Sequence, residues 1–236
     1  MSLRSGGVSS APFYSLNIGR SVGDVPETVT ENRARFVAAL GAVPVWMKLV
    51  HGTQVLHLKA GGPVHPDDPA DAAWTMAPRV ACTVTAADCL PVFFALRDGS
   101  AVGAAHAGWR GLAGGVLQAT LHAMCDGTGA APADVQVWLG PCIGPRQFEV
   151  GADVLQAFSA EDRLGTAYLR FTPRQRPDGS PAWLADLRGL AQDRLQAAGV
   201  THITASTACT VEDASRFFSY RRDRRTGRHA AAIWRE

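Results

Sequence analysis

His51, Cys89 and His106 are the residues of this chain whose types and placement could do chemistry together. Each follows an apolar, β-like run and stands beside a residue that breaks it: His51 before Gly52, Cys89 after Asp88 and ahead of Pro91, His106 ahead of Gly108. Residues at strand ends project into shared clefts. Two imidazoles and a thiolate make a suitable set of three protein ligands for zinc, with the fourth tetrahedral position left for water or substrate. Asp88 is the acidic neighbour in sequence for proton shuttling or support of that set. The spacing is no local metal motif such as CxxC or HExxH. The competing reading makes Cys89 a small buried hydrophobe and the histidines satisfied core or rim residues. His57, His65, His122, His202 and His229 take that plainer reading, as do Cys82, Cys125 and Cys209; Cys142, in a GPCIG turn, stays open.

The segment HAGWRGLAGG after the last strand adds a second chemistry. Gly108 and Gly111 let the backbone turn sharply and come close to a ligand, and the helix that follows starts without a Ser, Thr, Asp or Asn cap. Free amides beside the Arg110 guanidinium suit an anion such as phosphate. The alternatives are a structural ion pair for Arg110 and core packing for Trp109. A second basic cluster, Arg221, Arg222, Arg224 and Arg225 in FFSYRRDRRTGR, is either an anion site or a solvated turn in which Asp223 offsets part of the charge.

These residues need elements to hold them. TENRARFVAALG predicts a helix with Thr30 as N-cap, Phe36, Val37 and Leu40 on one face, and Gly41 as the stop. VPVWMKLVHGTQVLHL is β-rich and broken at His51-Gly52, and RVACTVTAADCLPVFFAL holds two strands parted at Asp88-Cys89. AVGAAH, VQVWLG, HITAST and HAAAIWR read as further strands. GLAGGVLQATLHAMC, GADVLQAF and LADLRGLAQDRLQAAG read as helices, the last with Leu184, Leu187, Ala191 and Leu195 on one stripe. Interleaving of both kinds predicts a mixed α/β layer structure. RFTPRQRPDGSPAW, rich in proline, is either a linker or a large surface loop; without repeats or low-complexity tracts, we expect a single domain over residues 1–236.

Composition narrows the class. Hydrophobic residues make up 47% of the chain and charged ones 19%, as in soluble globular proteins, and no apolar run approaches the ~18 residues that span a bilayer. MSLRSGGVSS contains no apolar h-region, and five scattered cysteines form no disulfide framework, so we expect a cytoplasmic protein with free thiols. A net charge of only +2 argues against a nucleic-acid binder driven by phosphate neutralisation. The abundance of arginine over lysine reads as genomic composition.

NIGRSVGDVPETVTENRARF, VHGTQV, TAADCLPVFF, HAGWRGLAGG, LGPCIGP with FEV, and CTVEDASRFFSYRRDRRTGRHAAAI together resemble the YfiH-type laccase-domain family, also named multicopper polyphenol oxidase-like or peptidoglycan editing factor. The match runs in the family's order from about residue 17 to residue 233, with HAGWRG and ADCLPV its most specific pieces. Leu49 departs from the family pattern, in which glutamine is common before VHG. The resemblance implies a single-domain α/β fold with a core like that of bacterial toxin deamidases carrying a Cys-His pair, and a catalytic zinc on His51, Cys89 and His106. It also implies phosphorolysis of adenosine, inosine, guanosine or methylthioadenosine, and deamination of adenosine by water activated for attack at C6. The partners would then be a purine nucleoside and phosphate, with no nucleic acid and no membrane. Arg110, Arg221 and Arg222 are the candidates to hold the phosphate against C1′ of the ribose.

Three rivals stay open. Copper oxidation of phenols, suggested by the family's older name, could use two histidines and a cysteine for one copper ion; a four-copper cluster demands more imidazoles than the seven histidines present. A cysteine hydrolase acting on cell-wall precursors would use Cys89 as nucleophile and His106 as its activator. A non-catalytic metal-binding module would hold zinc and turn over nothing.

Overall fold

A computed structural model describes residues 1–61, 69–159 and 167–236. In chain order the elements are α1 (Pro26–Leu40), β1 (Val43–Trp46), β2 (Val55–Leu58), β3 (Ala72–Thr75), β4 (Val80–Ala86), β5 (Leu90–Leu96), β6 (Val102–Ala107), α2 (Trp109–Ala113), α3 (Val116–Thr128), β7 (Val135–Leu139), β8 (Glu149–Val150), α4 (Ala152–Ser159), β9 (Phe171–Gln175), β10 (Pro181–Ala185), α5 (Leu187–Ala197), β11 (His202–Ala205), α6 (Tyr220–Asp223) and β12 (His229–Ile233). Among the described residues they form a six-stranded sheet in the order β11-β7-β5-β6-β3-β2 and two three-stranded sheets, β1-β4-β12 and β8-β10-β9. The six-stranded sheet is mixed, parallel at β11/β7 and β2/β3 and antiparallel between.

The central strands read as unbroken apolar runs because both faces are covered. Along β5, Leu90, Val92, Phe94 and Leu96 point into the core shared with α3 and α5, while Phe93 points into a second core with Cys82 and Val84 of β4. The same alternation puts Ala105 and Ala107 of β6 on the helix side and Ala104 on the other. His106 shares the face of Ala104, toward the β1-β4-β12 sheet. Small residues in β6 let α3 sit close: a Cβ on Gly103 would stand 2.8 Å from Met124 Sδ. No described helix is long and apolar enough to cross a membrane.

Four local expectations are corrected by competing physics. Helix α1 begins at Pro26, whose ring suits the first turn, so Thr30 lies inside the helix and its hydroxyl donates to the Pro26 carbonyl at 2.9 Å. Its buried residues, Val29 and Asn32, continue the stripe of Phe36 and Leu40, which are half-buried, and Gly41 closes it at φ +71°. The Asn32 amide donates to Ser9 Oγ, Ser15 O and Asn17 O and accepts the Val8 N–H, tying the N-terminal segment to the helix. The helix expected over GLAGGVLQATLHAMC is two, α2 and α3, because Gly115 adopts φ +94°.

Leu184 belongs to β10 and not to the helical stripe, since Asp186 accepts the Gly189 N–H and caps α5 after the strand has ended. The proline-rich stretch is neither linker nor loop but the β9–β10 hairpin. Its turn is closed by Asp178 Oδ1, which accepts from the Ser180 N–H and hydroxyl, and Pro173 is tolerated because β9 is an edge strand. Strand β3, a four-residue run of AAWT, had no expectation attached to it.

His229, at the start of β12, is fully buried and its Nε2 accepts the Phe218 N–H at 2.8 Å. Burial pushes its imidazole down to about 3 from an ordinary 6.5. The fold therefore holds it neutral while the unfolded chain takes up a proton below pH 6.5. Stability from this group is complete above that value and is lost as pH falls toward 3, amounting to about 2 kcal/mol at pH 5. Thermal unfolding of wild type and His229→Gln between pH 7.5 and 5 should show a steeper loss in wild type; parallel slopes would refute the assignment.

Candidate metal centre

The chain passes from the β1-β4-β12 sheet to the six-stranded sheet twice, between β1 and β2 and between β4 and β5. His51 stands on the first crossover and Cys89 on the second. His106, near the end of β6, faces them from the larger sheet, so three residues distant in sequence converge where the sheets diverge. One ligand atom from each of the three lies within 4.8 Å of the others. Cys89 Sγ is 3.9 Å from His51 Nε2, and the two imidazole rings meet edge to face at 4.9 Å. His51 is exposed, Cys89 half-buried and His106 buried, which opens the cluster to solvent on one side.

Both crossovers use left-handed backbone: His51 has φ +60° and Asp88 φ +88°, an uncommon conformation outside glycine that histidine and aspartate tolerate better than most residues. The His51 turn is held by Asp71, a carboxylate with no exposed surface that sequence reasoning missed. Its oxygens accept the N–H groups of Val50, His51 and Gly52 at 3.0, 2.9 and 2.8 Å. They also meet His106 Nδ1 at 2.8 Å, while the Asp71 carbonyl accepts the His106 N–H. Nδ1 is thereby the protonated nitrogen and Nε2 the one left to ligate, the orientation that carboxylate partners impose on metal-binding histidines. The only signal in sequence was an acid, one of three in DDPAD, directly ahead of the apolar run AAWT.

Charges at the site reinforce one another. Burial alone would raise the Cys89 thiol, but the His106 charge and hydrogen bonds from both histidines outweigh it and bring the thiol down to about 6. Burial likewise works against His106, yet the Cys89 thiolate and the Asp71 hydrogen bond raise it to about 9. For Asp71 itself, burial is outweighed by His106 and the Gly52 and Val50 amides, which keep its carboxyl below the usual range. The donor set fits a metal ion: a preformed thiolate, a histidine with its tautomer set, a second histidine, and an open side.

The glycines of HAGWRG act as steric clearances. A Cβ on Gly108 would lie 2.7 Å from His51 Cδ2 and 3.1 Å from Cys89 Sγ, and one on Gly111 would lie 2.9 Å from the Gly52 carbonyl. Gly108 has φ −65°, which any residue adopts, so what this position asks of glycine is space. Helix α2 has only five residues, too short for the expected helix-terminus anion site. Trp109 packs against the main core, and Arg110 lies over its ring at 4.3 Å.

Asp88 is a fastener. Its carboxylate accepts from Thr210 Oγ1 at 2.6 Å, Ser219 Oγ at 3.0 Å and the Arg221 N–H at 2.6 Å, clamping the C-terminal segment beside Cys89. Arg222 has its guanidinium engaged by Asp223 and by the carbonyls of Thr210, Val211 and Phe217, which leaves it a structural clasp. Arg221 reaches the Glu149 carbonyl at 2.8 Å and ties the same segment to β8. Of the other histidines, His57 stacks on Trp74 at 3.9 Å, His122 pairs with Asp126 on the surface of α3, and His202 is exposed on β11. His65 lies outside the described residues. Cys142 and Cys209 are bridge partners in the backbone, and all five cysteines are free.

Fold and site together define a mixed α/β protein in which two histidines and a cysteine, brought together at its sheet crossovers, could hold a metal ion. The chain belongs to the family described as multi-copper polyphenol oxidoreductase laccase, which matches residues 1–236. It is 47% identical over 231 residues to a purine nucleoside phosphorylase of Pseudomonas aeruginosa, covering 98% of this chain and 90% of that one. It is 45% identical over 236 residues to the purine nucleoside phosphorylase YfiH of Escherichia coli, covering 99% and 91%. Among solved structures, a Neisseria meningitidis protein of the DUF152 family is 43% identical with a TM-score of 0.88, covering 99% of this chain and 92% of that one. Bacillus licheniformis YfiH is 30% identical with a TM-score of 0.90, covering 99% and 91%.

Proposed function

We propose that this chain is a zinc-dependent purine nucleoside phosphorylase, acting as one domain in the cytoplasm, with adenosine deamination as a second activity of the same centre. The observation that carries the reading is the convergence of His51, Cys89 and His106 within 4.8 Å on one open-sided site. Relatives named purine nucleoside phosphorylase support the substrate class.

In phosphorolysis an oxygen of hydrogen phosphate bonds to C1′ as the C1′–N9 bond breaks. The bonding pair leaves with the purine, which takes the phosphate's proton, and ribose 1-phosphate is the other product. A zinc ion held by the three residues supplies Lewis-acid stabilisation of negative charge. The chain's own groups do the positioning: Asp71 orients His106, Gly108 keeps the space between the ligands clear, and Asp88 holds the C-terminal segment against the site. Purified protein incubated with inosine should release hypoxanthine only when phosphate is present. No base release with or without phosphate sinks the reading.

The contact between Cys89 and its histidines favours a second reading, a thiolate nucleophile in a cysteine hydrolase. Activity that survives complete chelation would support it. The family's description favours copper, which stoichiometric zinc and a colourless protein would exclude.

A further inference from the structure

We propose that Arg228 is the residue that binds the phosphate co-substrate, an inference that rests on the phosphorylase reading. Strand β12 pairs antiparallel with β4 so that His229 lies opposite Ala86. One step further along the ladder, Arg228 comes level with Ala87, the residue that leads into Asp88 and Cys89. The charges of Cys89 and Asp88 both act on its guanidinium, which places it within their electrostatic reach. Of the basic residues in this segment, Arg228 is the one that the ladder brings level with the turn into Cys89.

The guanidinium is half-buried, yet among the described residues it has no carboxylate within ion-pair distance. Nη1 donates to the carbonyls of Thr226 and Gly227, both at 3.1 Å, which fixes one edge of the fork. Nε and Nη2 have no partner among the described residues, and neither is sealed from solvent. An arginine held by one edge and open on the other presents the paired donors that a phosphate accepts. The oxygens of Asp88 are already occupied by Thr210, Ser219 and the Arg221 amide, so the nearby acid does not compete for that edge.

The arm is placed with care. Its backbone N–H donates to Asn17 Oδ1 at 2.9 Å and its carbonyl accepts the Ile18 N–H at 3.0 Å. Its stem lies where a Cβ on Gly19 would come within 2.7 Å of Arg228 Cγ. Tyr220, half-exposed, sets its ring 5.8 Å from the guanidinium. Paired donors on a stem fixed in this way would hold a phosphate in one orientation for attack at C1′.

The test compares wild type, Arg228→Gln and Arg228→Lys as purified with their metal, with Arg225→Gln as a control that removes the same charge from an exposed neighbour. Arg228→Gln should raise KM for phosphate at least 10-fold while KM for inosine stays within about twofold, and should lose the rise in Tm that added phosphate gives wild type. Arg228→Lys should fall between, and Arg225→Gln should match wild type. An unchanged KM for phosphate, or equal rises in both KM values, overturns the proposal; if Arg228→Gln does not fold, the same comparison with Arg228→Lys decides. If wild type releases no base at all, the phosphorylase reading fails, and a phosphate-induced Tm shift that is indifferent to Arg228 fails this inference separately.

Discussion

Cys89→Ser is expected to strip the protein of stoichiometric zinc and to reduce phosphate-dependent base release more than 100-fold, beyond the 10- to 100-fold typical of losing a partner of a ligand. Serine preserves the size of the side chain but presents a hydroxyl that stays protonated at neutral pH, whereas the Cys89 thiol is held near 6 by its histidines. Metal content and turnover should fall together, with thermal unfolding close to wild type in the presence of chelator. Retention of zinc by the variant would remove Cys89 from the ligand set. His51→Ala then separates the two readings of the thiol. His51 is exposed and contributes little to the core, so its loss should spare the fold. A metal centre loses a ligand and its activity; a Cys89–His106 nucleophile pair keeps both of its members and should still turn over.

Asp71→Asn should have the second largest effect, and through a residue that touches no substrate. The carboxylate accepts three backbone N–H groups and meets His106 Nδ1 with no exposure to water. An amide offers one acceptor oxygen in place of two and turns an NH2 group toward donors, so some of these N–H groups lose their partner. Destabilisation of about 3 kcal/mol is expected from breaking this buried charged network. Zinc affinity should fall 10- to 100-fold because the His106 ring is no longer held with Nε2 toward the ion. Titration with a chelator of known affinity reads the second effect apart from the first. Lost stability with unchanged zinc affinity would show Asp71 to be a support of the His51 turn alone.

Legibility followed the range of the interactions involved. The strands that flank Cys89 and the one that carries His106 were visible as apolar runs because they are covered on both faces, and the breaks at His51-Gly52 and Asp88-Cys89 were visible as changes of residue type. Boundaries failed where a short-range competitor was underrated: Asp186 capping α5, Gly115 dividing two helices, Pro26 opening α1. The prolines of the β9–β10 hairpin imitate a linker because proline on an edge strand leaves no ladder hydrogen bond unmade. Asp71 escaped notice because its partners lie far away in sequence, and Arg228 because strand pairing alone brings it level with the turn before Cys89. Arg222 drew attention by its cluster, yet its donors are taken by backbone carbonyls that no residue type announces.

The sequence by itself determined the chemical inventory, two imidazoles and a thiol at strand ends, and the glycines that leave room beside them. Tertiary structure alone decided that the three meet, because His51 and Cys89 ride on separate crossovers between two sheets and His106 faces them from a strand of the larger one. It also decided which nitrogen of His106 is free, through a buried carboxylate, and which arginine keeps an unoccupied edge. The physical reason is common to all three outcomes. Side-chain type is local, but hydrogen-bond satisfaction and proximity are properties of the packed chain.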